Sequence, residues 1–464
     1  MSGAMKPRLN QVLVVPFLIA AGAILLSSGS ALSPQAALGG ALAVAAVGFW
    51  ATGAVPEHLT ALVFFLVAMV FSIAEAPAVF SGFASGAFWL LFGGMILGSA
   101  VGRTGLGARL ARTMARRMGV SYTGILAGVV FVAVALSFLM PSATGRAVLL
   151  IPVAVSLASA FGFEKGSRGA TGIAIAAAMG AVIPGFGVLP ANVPNLVMAG
   201  AAESLYGLRL NYGEYLLLHF PVLGVLKAAT IVIVVRILFP DSLPDRAVAE
   251  EDLGPVSRDE WRLGLILAGA LTLWATDFLH GVSPAWVALG GGVLCLVRPF
   301  NLIPADRIGE VVQIRPLIYI AGVLSLGAIV TTTGFADEMA HAFIAAAGLE
   351  AGAGLSNIVR VLGAEIATSL LGTAPTVPAV WTPLAGELSE AMGMPVRTVL
   401  MVQVLAYSTI ILPYQAPPFI VALGLAGVPM SAAFRAVFGV ALVTIVVLLP
   451  LDLLWWDVLG LLDG

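Results

Sequence analysis

The chain has 464 residues, of which 60% are hydrophobic and 10% charged, with a mean hydropathy of +1.05 and a formal net charge of −2. A soluble domain carries about 25% charged residues, so a soluble globular fold is excluded and an all-α polytopic membrane protein is expected. The near-neutral charge argues against nucleic acid as a partner, and the single cysteine, Cys295, excludes an internal disulfide and a cysteine metal cluster.

Lys6 and Arg8 precede the first apolar run, which reads as a retained first helix with the N-terminus in the cytoplasm. It is the first of three spans, Val12–Ser28, Ala37–Gly53 and Leu59–Ile73. A fourth, Phe88–Val101, runs into Arg103, Arg109, Arg112, Arg116 and Arg117, which places that connection in the cytoplasm. Leu106–Met118 reads as a basic helix lying along the interface. Next come Ile125–Leu139 and Ala147–Phe161, each too short for a comfortable span, joined by Met140-Pro141-Ser142-Ala143-Thr144-Gly145-Arg146. This pattern predicts a re-entrant hairpin whose tip carries free N–H groups and an arginine into the membrane, where unwound backbone persists only beside protein or a wet cavity. Ala170–Ile183 begins a span that breaks over 184–195, since three prolines and two glycines cannot continue a helix there. Leu196–Ala202 resumes it, and Tyr215–Leu238 crosses back. The polar stretch Asp241–Glu260 is the linker between two halves.

The second half repeats this order. Leu263–Leu279, Ala285–Val297 and Leu317–Val330 are spans. A second hairpin has arms Ile358–Leu371 and Val377–Met392 around Gly372–Thr376. A second broken span is Val399–Ile411 and Phe419–Leu425, and Ala436–Leu449 crosses last, ending near Asp452 and Asp457. Gly93/Gly322, Leu97/Leu326, Gly98/Gly327, Thr104/Thr333 and Gly105/Gly334 match at one offset of 229. Arginines follow the first motif, whereas Asp337, Glu338 and His341 follow the second. The halves therefore face opposite sides of the membrane, the pattern of inverted-repeat transporters with a site at the repeat interface. The expected organisation is a first repeat over 1–239, with scaffold helices in 12–101 and a hairpin and broken helix in 121–202. A linker over 240–260 and a second repeat over 261–464 follow, the latter with its hairpin and broken helix in 354–425. About eleven crossings put the C-terminus outside a multi-pass inner membrane protein.

The order of elements resembles the divalent anion:sodium symporter family of the ion-transporter superfamily over nearly the whole chain. The family's Ser-Asn-Thr tips, with a proline ten residues on, are similar to Ser142-Ala143-Thr144 with Pro152 and to Thr373-Ala374-Pro375 with Pro383. Its Thr-Pro-Pro-Asn breaks look like Asn192-Val193-Pro194-Asn195 and Ala416-Pro417-Pro418-Phe419. The resemblance implies secondary transport of a small anion (di- or tricarboxylate, sulfate or a related oxyanion) by alternating access of elevator type in a homodimer. It implies binding residues Ser142, Ala143, Thr144, Asn192, Pro194 and Asn195 in one repeat and Thr373, Ala374, Thr376, Pro417 and Pro418 in the other. It also implies weak sodium sites near Ser142 and Gly187 and near Thr373 and Gln415. No other cofactor is implied. Alanine replaces asparagine at both tips, and an alanine side chain offers no oxygen to Na⁺.

Arg146 lies one turn into the returning arm, where dipole and free N–H groups already favour an anion. Its expected role is to contact the anion and supply in cis the charge that bound cations would otherwise supply. Glu365 is either a coupling carboxylate or a structural partner for Arg146. His58, His219, His280 and His341 read as interfacial, and Trp455-Trp456 as a belt anchor. No HExxH or GxSxG motif points to an enzyme, and a charged tip favours alternation over a channel. A sodium-independent exchanger, or a proton-coupled permease of an arsenite or sodium/proton antiporter-like branch, is the alternative.

Overall fold

The computed structural model describes residues 11–29, 31–107, 109, 113, 121–243 and 254–462. Lys6, Arg8, Arg112, Arg116, Arg117, most of the predicted interfacial helix and much of the polar linker lie outside the described residues. Among those described, every regular element is helical.

The first half contains α1 (Val15–Leu26), α2 (Pro34–Thr52), α3 (Glu57–Val70) and α4 (Gly86–Thr104). Ser33 and Ser85 cap α2 and α4 by accepting from Ala36 N and Ala87 N, and Gly53 and Gly105 stop them in left-handed conformation at φ 62 and 83. Then come α5 (Tyr122–Leu139) and α6 (Ala143–Ala160), joined at Pro141. The broken span is α7 (Arg168–Val182) and α8 (Val193–Tyr206), separated by two short 3₁₀ turns, Pro184–Gly187 and Leu189–Ala191. α9 covers Tyr212–Leu238, with a π-helical stretch Phe220–Leu226 around Pro221.

The second half has α10 (Arg258–Ala275), α11 (Pro284–Leu296), α12 (Ile314–Thr332), α13 (Phe335–Ala347) and α14 (Gly354–Leu371). After the second tip come α15 (Thr376–Trp381), α16 (Ala385–Met392), α17 (Val396–Tyr407) and α18 (Pro417–Ala426). The last helix, α19, is Met430–Val458.

Among the described residues nine helices are long and apolar enough to cross a membrane, and α5, α6 and α14 are three of them. The arms of the first pair are thus not short. Each has 18 residues, about 27 Å at 1.5 Å per residue. They outrun their apolar runs because Ser121 and Ser142 cap them, accepting from Gly124 N and Gly145 N, which draws polar first turns into the helices. The returning arm of the second pair differs from the expected Val377–Met392. It is interrupted at Thr382-Pro383-Leu384, whereas α6 runs on through Pro152.

Residue pairs at the offset of 229 have the same local geometry. Thr104 Oγ1 donates to Ala100 O at 2.9 Å and Thr333 Oγ1 to Ile329 O at 2.8 Å. Gly105 and Gly334 both take positive φ, 83° and 78°. Gly93 brings α4 against the backbone of Ala288 on α11, and Gly322 brings α12 against Ala61 on α3. Each half thus lends a helix to the other, a reciprocity that an inverted repeat requires. The core is densest around α7 and α17, whose residues are almost all buried.

Three readings are corrected. His219 is fully buried rather than interfacial, because α9 begins two turns earlier, at Tyr212. Trp456 is not a belt anchor: it is fully buried and packs edge-on against His219, with ring centroids 5.7 Å apart. Asp452 does not mark the end of the last span, because α19 continues past it and buries it fully.

Candidate functional site

Both tips and both breaks meet in one cavity of about 630 Å³. The tips belong to helix pairs in the two halves of the chain, each joined by a loop of a few residues. The first tip reaches the middle of α4: a Cβ on Gly94 would lie 2.6 Å from the Pro141 ring. The second tip reaches the far end of α2, where a Cβ on Gly372 would lie 3.2 Å from that of Ala51. Besides tips and breaks, the lining includes Tyr319 on α12. The cavity continues past Gly102 and Glu310 to Gln313.

Three helices of substantial length present their N-termini here. Ser142, Asn192 and Ala416, the N-cap residues of α6, α8 and α18, all line the cavity. Of the three, only Ser142 caps with its side chain, its Oγ accepting from Gly145 N at 3.1 Å. The positive ends of these helices favour an anion. The acids in the lining, Glu57 and Glu310, sit at helix starts and connections rather than at the tips, and Glu310 lies 3.9 Å from Arg103.

Of the residues expected from the sequence, Ser142, Ala143, Thr144, Asn192, Pro194, Thr373, Ala374, Gln415, Pro417 and Pro418 line the cavity. Thr144 is exposed to it, and Thr373 lies beside the Tyr319 phenol. Arg146, Asn195, Thr376 and Gly187 stand behind the wall. Asn195 is fully buried and donates through Nδ2 to Phe186 O at 3.1 Å and Val188 O at 2.9 Å, holding the break in shape. Thr376 Oγ1 accepts from Thr373 N at 3.2 Å. Gly187 faces α9, where an added Cβ would lie 3.1 Å from Phe220 Cα.

Arg146 is fully buried and turned away from the cavity into the first break. Nε donates to Ala181 O at 2.8 Å, and Nη1 to Met140 O at 2.6 Å and Ala191 O at 2.9 Å. Nη2 donates to Asn192 Oδ1 at 2.9 Å, while Asn192 Nδ2 donates to Val182 O at 3.0 Å. The guanidinium is therefore solvated by acceptors that the missing helical turns leave free. Glu365 is not its partner. That carboxyl is fully buried on α14, and neither of its oxygens has a hydrogen bond.

The second break is tied to its tip by an amide. Gln415 Oε1 accepts from Ile411 N at 2.8 Å and Leu412 N at 2.7 Å, and its Nε2 donates to Ser369 O at 3.0 Å and Ser369 Oγ at 2.7 Å. Ala374 N donates to Gln415 O at 2.8 Å, and the Tyr414 hydroxyl donates to Leu370 O. A cation lies here too. Lys227, on α9 and almost fully buried, donates to Ser408 O at 2.8 Å and Ser408 Oγ at 3.3 Å, where α17 ends. Sequence reasoning missed Lys227, although a lone lysine inside the apolar run Tyr215–Leu238 is the signal that a buried membrane charge gives. Among the described residues no cluster of His, Cys, Asp or Glu could hold a metal ion.

A family model described as the sodium:sulfate symporter transmembrane region matches residues 8–462. An L-tartrate/succinate antiporter of Escherichia coli (strain K12) is 24% identical over 408 residues, 82% of this chain and 80% of that one. Its counterpart in Shigella sonnei is 25% identical over 409 residues, with the same coverage. A Cupriavidus necator protein described as a membrane protein is 28% identical over 357 residues, 74% of this chain and 69% of that one. Among solved structures, the Alcanivorax borkumensis YdaH transporter aligns with a TM-score of 0.56 at 19% identity, over 87% of this chain and 90% of that one. That likeness is one of fold.

Proposed function

The chain belongs to the sodium:sulfate symporter transmembrane family, a family of transporters and not of enzymes, and we propose that it exchanges small dianions, dicarboxylates foremost, without sodium. The observation that carries this reading is Arg146 seated among Met140 O, Ala181 O, Ala191 O and Asn192 Oδ1. A hard cation at the first break needs oxygens of this kind, and here a tethered cation takes them. Ser142 Oγ and Gln415 Oε1 are likewise engaged by backbone N–H groups, and Ala143 and Ala374 bring no side-chain oxygen. The donor set therefore does not suit Na⁺ at either tip.

Arg146 acts from behind the wall as a positioning residue. It fixes the first tip to the first break and places a permanent positive charge under the anion site. The anion itself meets the N-termini of α6, α8 and α18, the Thr144 and Thr373 hydroxyls and Tyr319. The names of the Escherichia coli and Shigella sonnei relatives, L-tartrate/succinate antiporters, support both dicarboxylates and exchange.

The moving part comprises α5–α9 and α14–α19, which carry both tips and both breaks, against a frame of α1–α4 and α10–α13 that also joins two copies. The first helix pair is re-entrant, since Pro141 reaches only mid-length of α4. In the inner membrane, the positive-inside rule puts its N-terminus inside and its C-terminus outside. The cavity then opens inward, past Glu310 and Gln313.

Thermal unfolding of the purified protein tests the binding step. Ligand at about a hundredfold its Kd stabilises by about 2.7 kcal/mol. Succinate and L-tartrate are expected to raise the midpoint equally in choline and in sodium buffer, and chloride to leave it unchanged. A shift that appears only with sodium would return the protein to sodium symport, which the family's description favours.

A further inference from the structure

A second cavity, of about 800 Å³, shares no residue with the central one. It lies where the ends of α6 and α9 meet the starts of α7 and α19. Three cations line it, Lys165, Arg168 and Arg435, and no acid does. All three are exposed, and none has an ion-pair partner among the described residues. The nearby Asp241 is engaged elsewhere, accepting from Gly169 N at 2.7 Å and Ser242 N at 2.9 Å. Arg435 is held over the Phe239 ring, its Cζ 5.7 Å from the centroid. One wall is apolar and open to the outside: Val155 is 41% and Ile237 69% exposed.

A small soluble anion would gain from the charges alone, which salt screens at exposed sites. A ligand with an acidic head and an apolar tail gains from the charges and from the wall together. The level also fits, because basic pockets between membrane helices at the cytoplasmic side suit anionic lipid headgroups. We propose that this groove binds an anionic phospholipid, its phosphodiester among Lys165, Arg168 and Arg435 and one acyl chain along Val155 and Ile237. The proposal rests on the orientation proposed above, which puts this groove at the cytoplasmic side, and does not depend on what the protein transports.

The test is lipid retention by the full-length protein purified from mixed micelles of phosphatidylglycerol and phosphatidylcholine, quantified by mass spectrometry. The parent protein is expected to retain phosphatidylglycerol over phosphatidylcholine by at least about tenfold. The triple variant Lys165→Gln, Arg168→Gln, Arg435→Gln is expected to fall to parity. The charge-keeping variant Arg168→Lys, Arg435→Lys is expected to hold the preference, so a loss through misfolding is distinguished from a loss of charge. Equal retention of both lipids by the parent, or an unchanged preference in the triple variant, would overturn the proposal. Displacement of the lipid by millimolar inorganic phosphate would also overturn it and make the groove a free-phosphate site.

Discussion

Arg146 makes four hydrogen bonds, and each partner lost would be a buried acceptor. Stranding a buried polar group costs about 1–3 kcal/mol. Arg146→Met is therefore expected to lower the melting midpoint by many degrees and to abolish exchange. Arg146→Lys keeps the charge but not the planar fork, so it is expected to fall between parent and Met variant in both melting and flux. Equal transport by Arg146→Met and the parent would remove Arg146 from the mechanism. Glu365 predicts the opposite pattern. Its oxygens receive no hydrogen bond, so Glu365→Gln forfeits none and is expected to melt within a few degrees of the parent and to transport at its rate. Lost transport with intact melting would make Glu365 a proton-carrying group. The sequence marked Arg146 as exceptional through its charge in an apolar setting. It could not name the partners, because three are main-chain carbonyls and a carbonyl leaves no signature in residue identity. Glu365 looked like the available counter-ion only because side chains are visible in a sequence and backbone acceptors are not.

Two adjacent glycines on α4 meet different partners. A Cβ on Gly93 would come within 2.5 Å of the Ala288 backbone, and one on Gly94 within 2.6 Å of the Pro141 ring. Gly93→Val wedges two helices apart at their crossing and is expected to destabilise by about 1–3 kcal/mol, read as a lower unfolding midpoint. Gly94→Val meets the first tip instead. The Pro141 ring is rigid, so this variant is expected to cost comparable stability and, unlike Gly93→Val, to slow exchange in the protein that still folds; equal exchange rates in the two variants would contradict this division. The existence and order of the spans were legible from apolar runs and proline breaks, whereas α13 (Phe335–Ala347), an amphipathic helix outside those runs, was not. Their ends were not, because capping by Ser121 and Ser142 drew polar residues into the first turns. The lengths of α5 and α6 followed from those caps, so arms expected to be short reach membrane-spanning length.

At the scale of the whole molecule, the offset of 229 made the two halves legible, since a Gly-Thr-Gly pattern records close helix crossings and helix ends that recur in both. The face toward which the cavity opens was not legible, because apolar runs and breaks give the order of the helices and not how they pack. The proposed movement of the tips against the frame can be tested by a trap. With Cys295→Ser removing the native thiol, Ala51→Cys and Gly372→Cys would place Cβ atoms about 3.2 Å apart, near the roughly 3.5–4.5 Å of a disulfide. Oxidation is expected to link them and stop exchange, and reduction to restore it; full activity in the linked protein would exclude sliding of the second tip past α2. The central claim is exchange of dianions without sodium, and counterflow in proteoliposomes tests it most directly. Vesicles loaded with unlabelled succinate, or left empty, are given labelled succinate in choline or sodium medium. Uptake is expected only into loaded vesicles and at the same rate in both media. Accumulation in empty vesicles driven by an inward sodium gradient would contradict it.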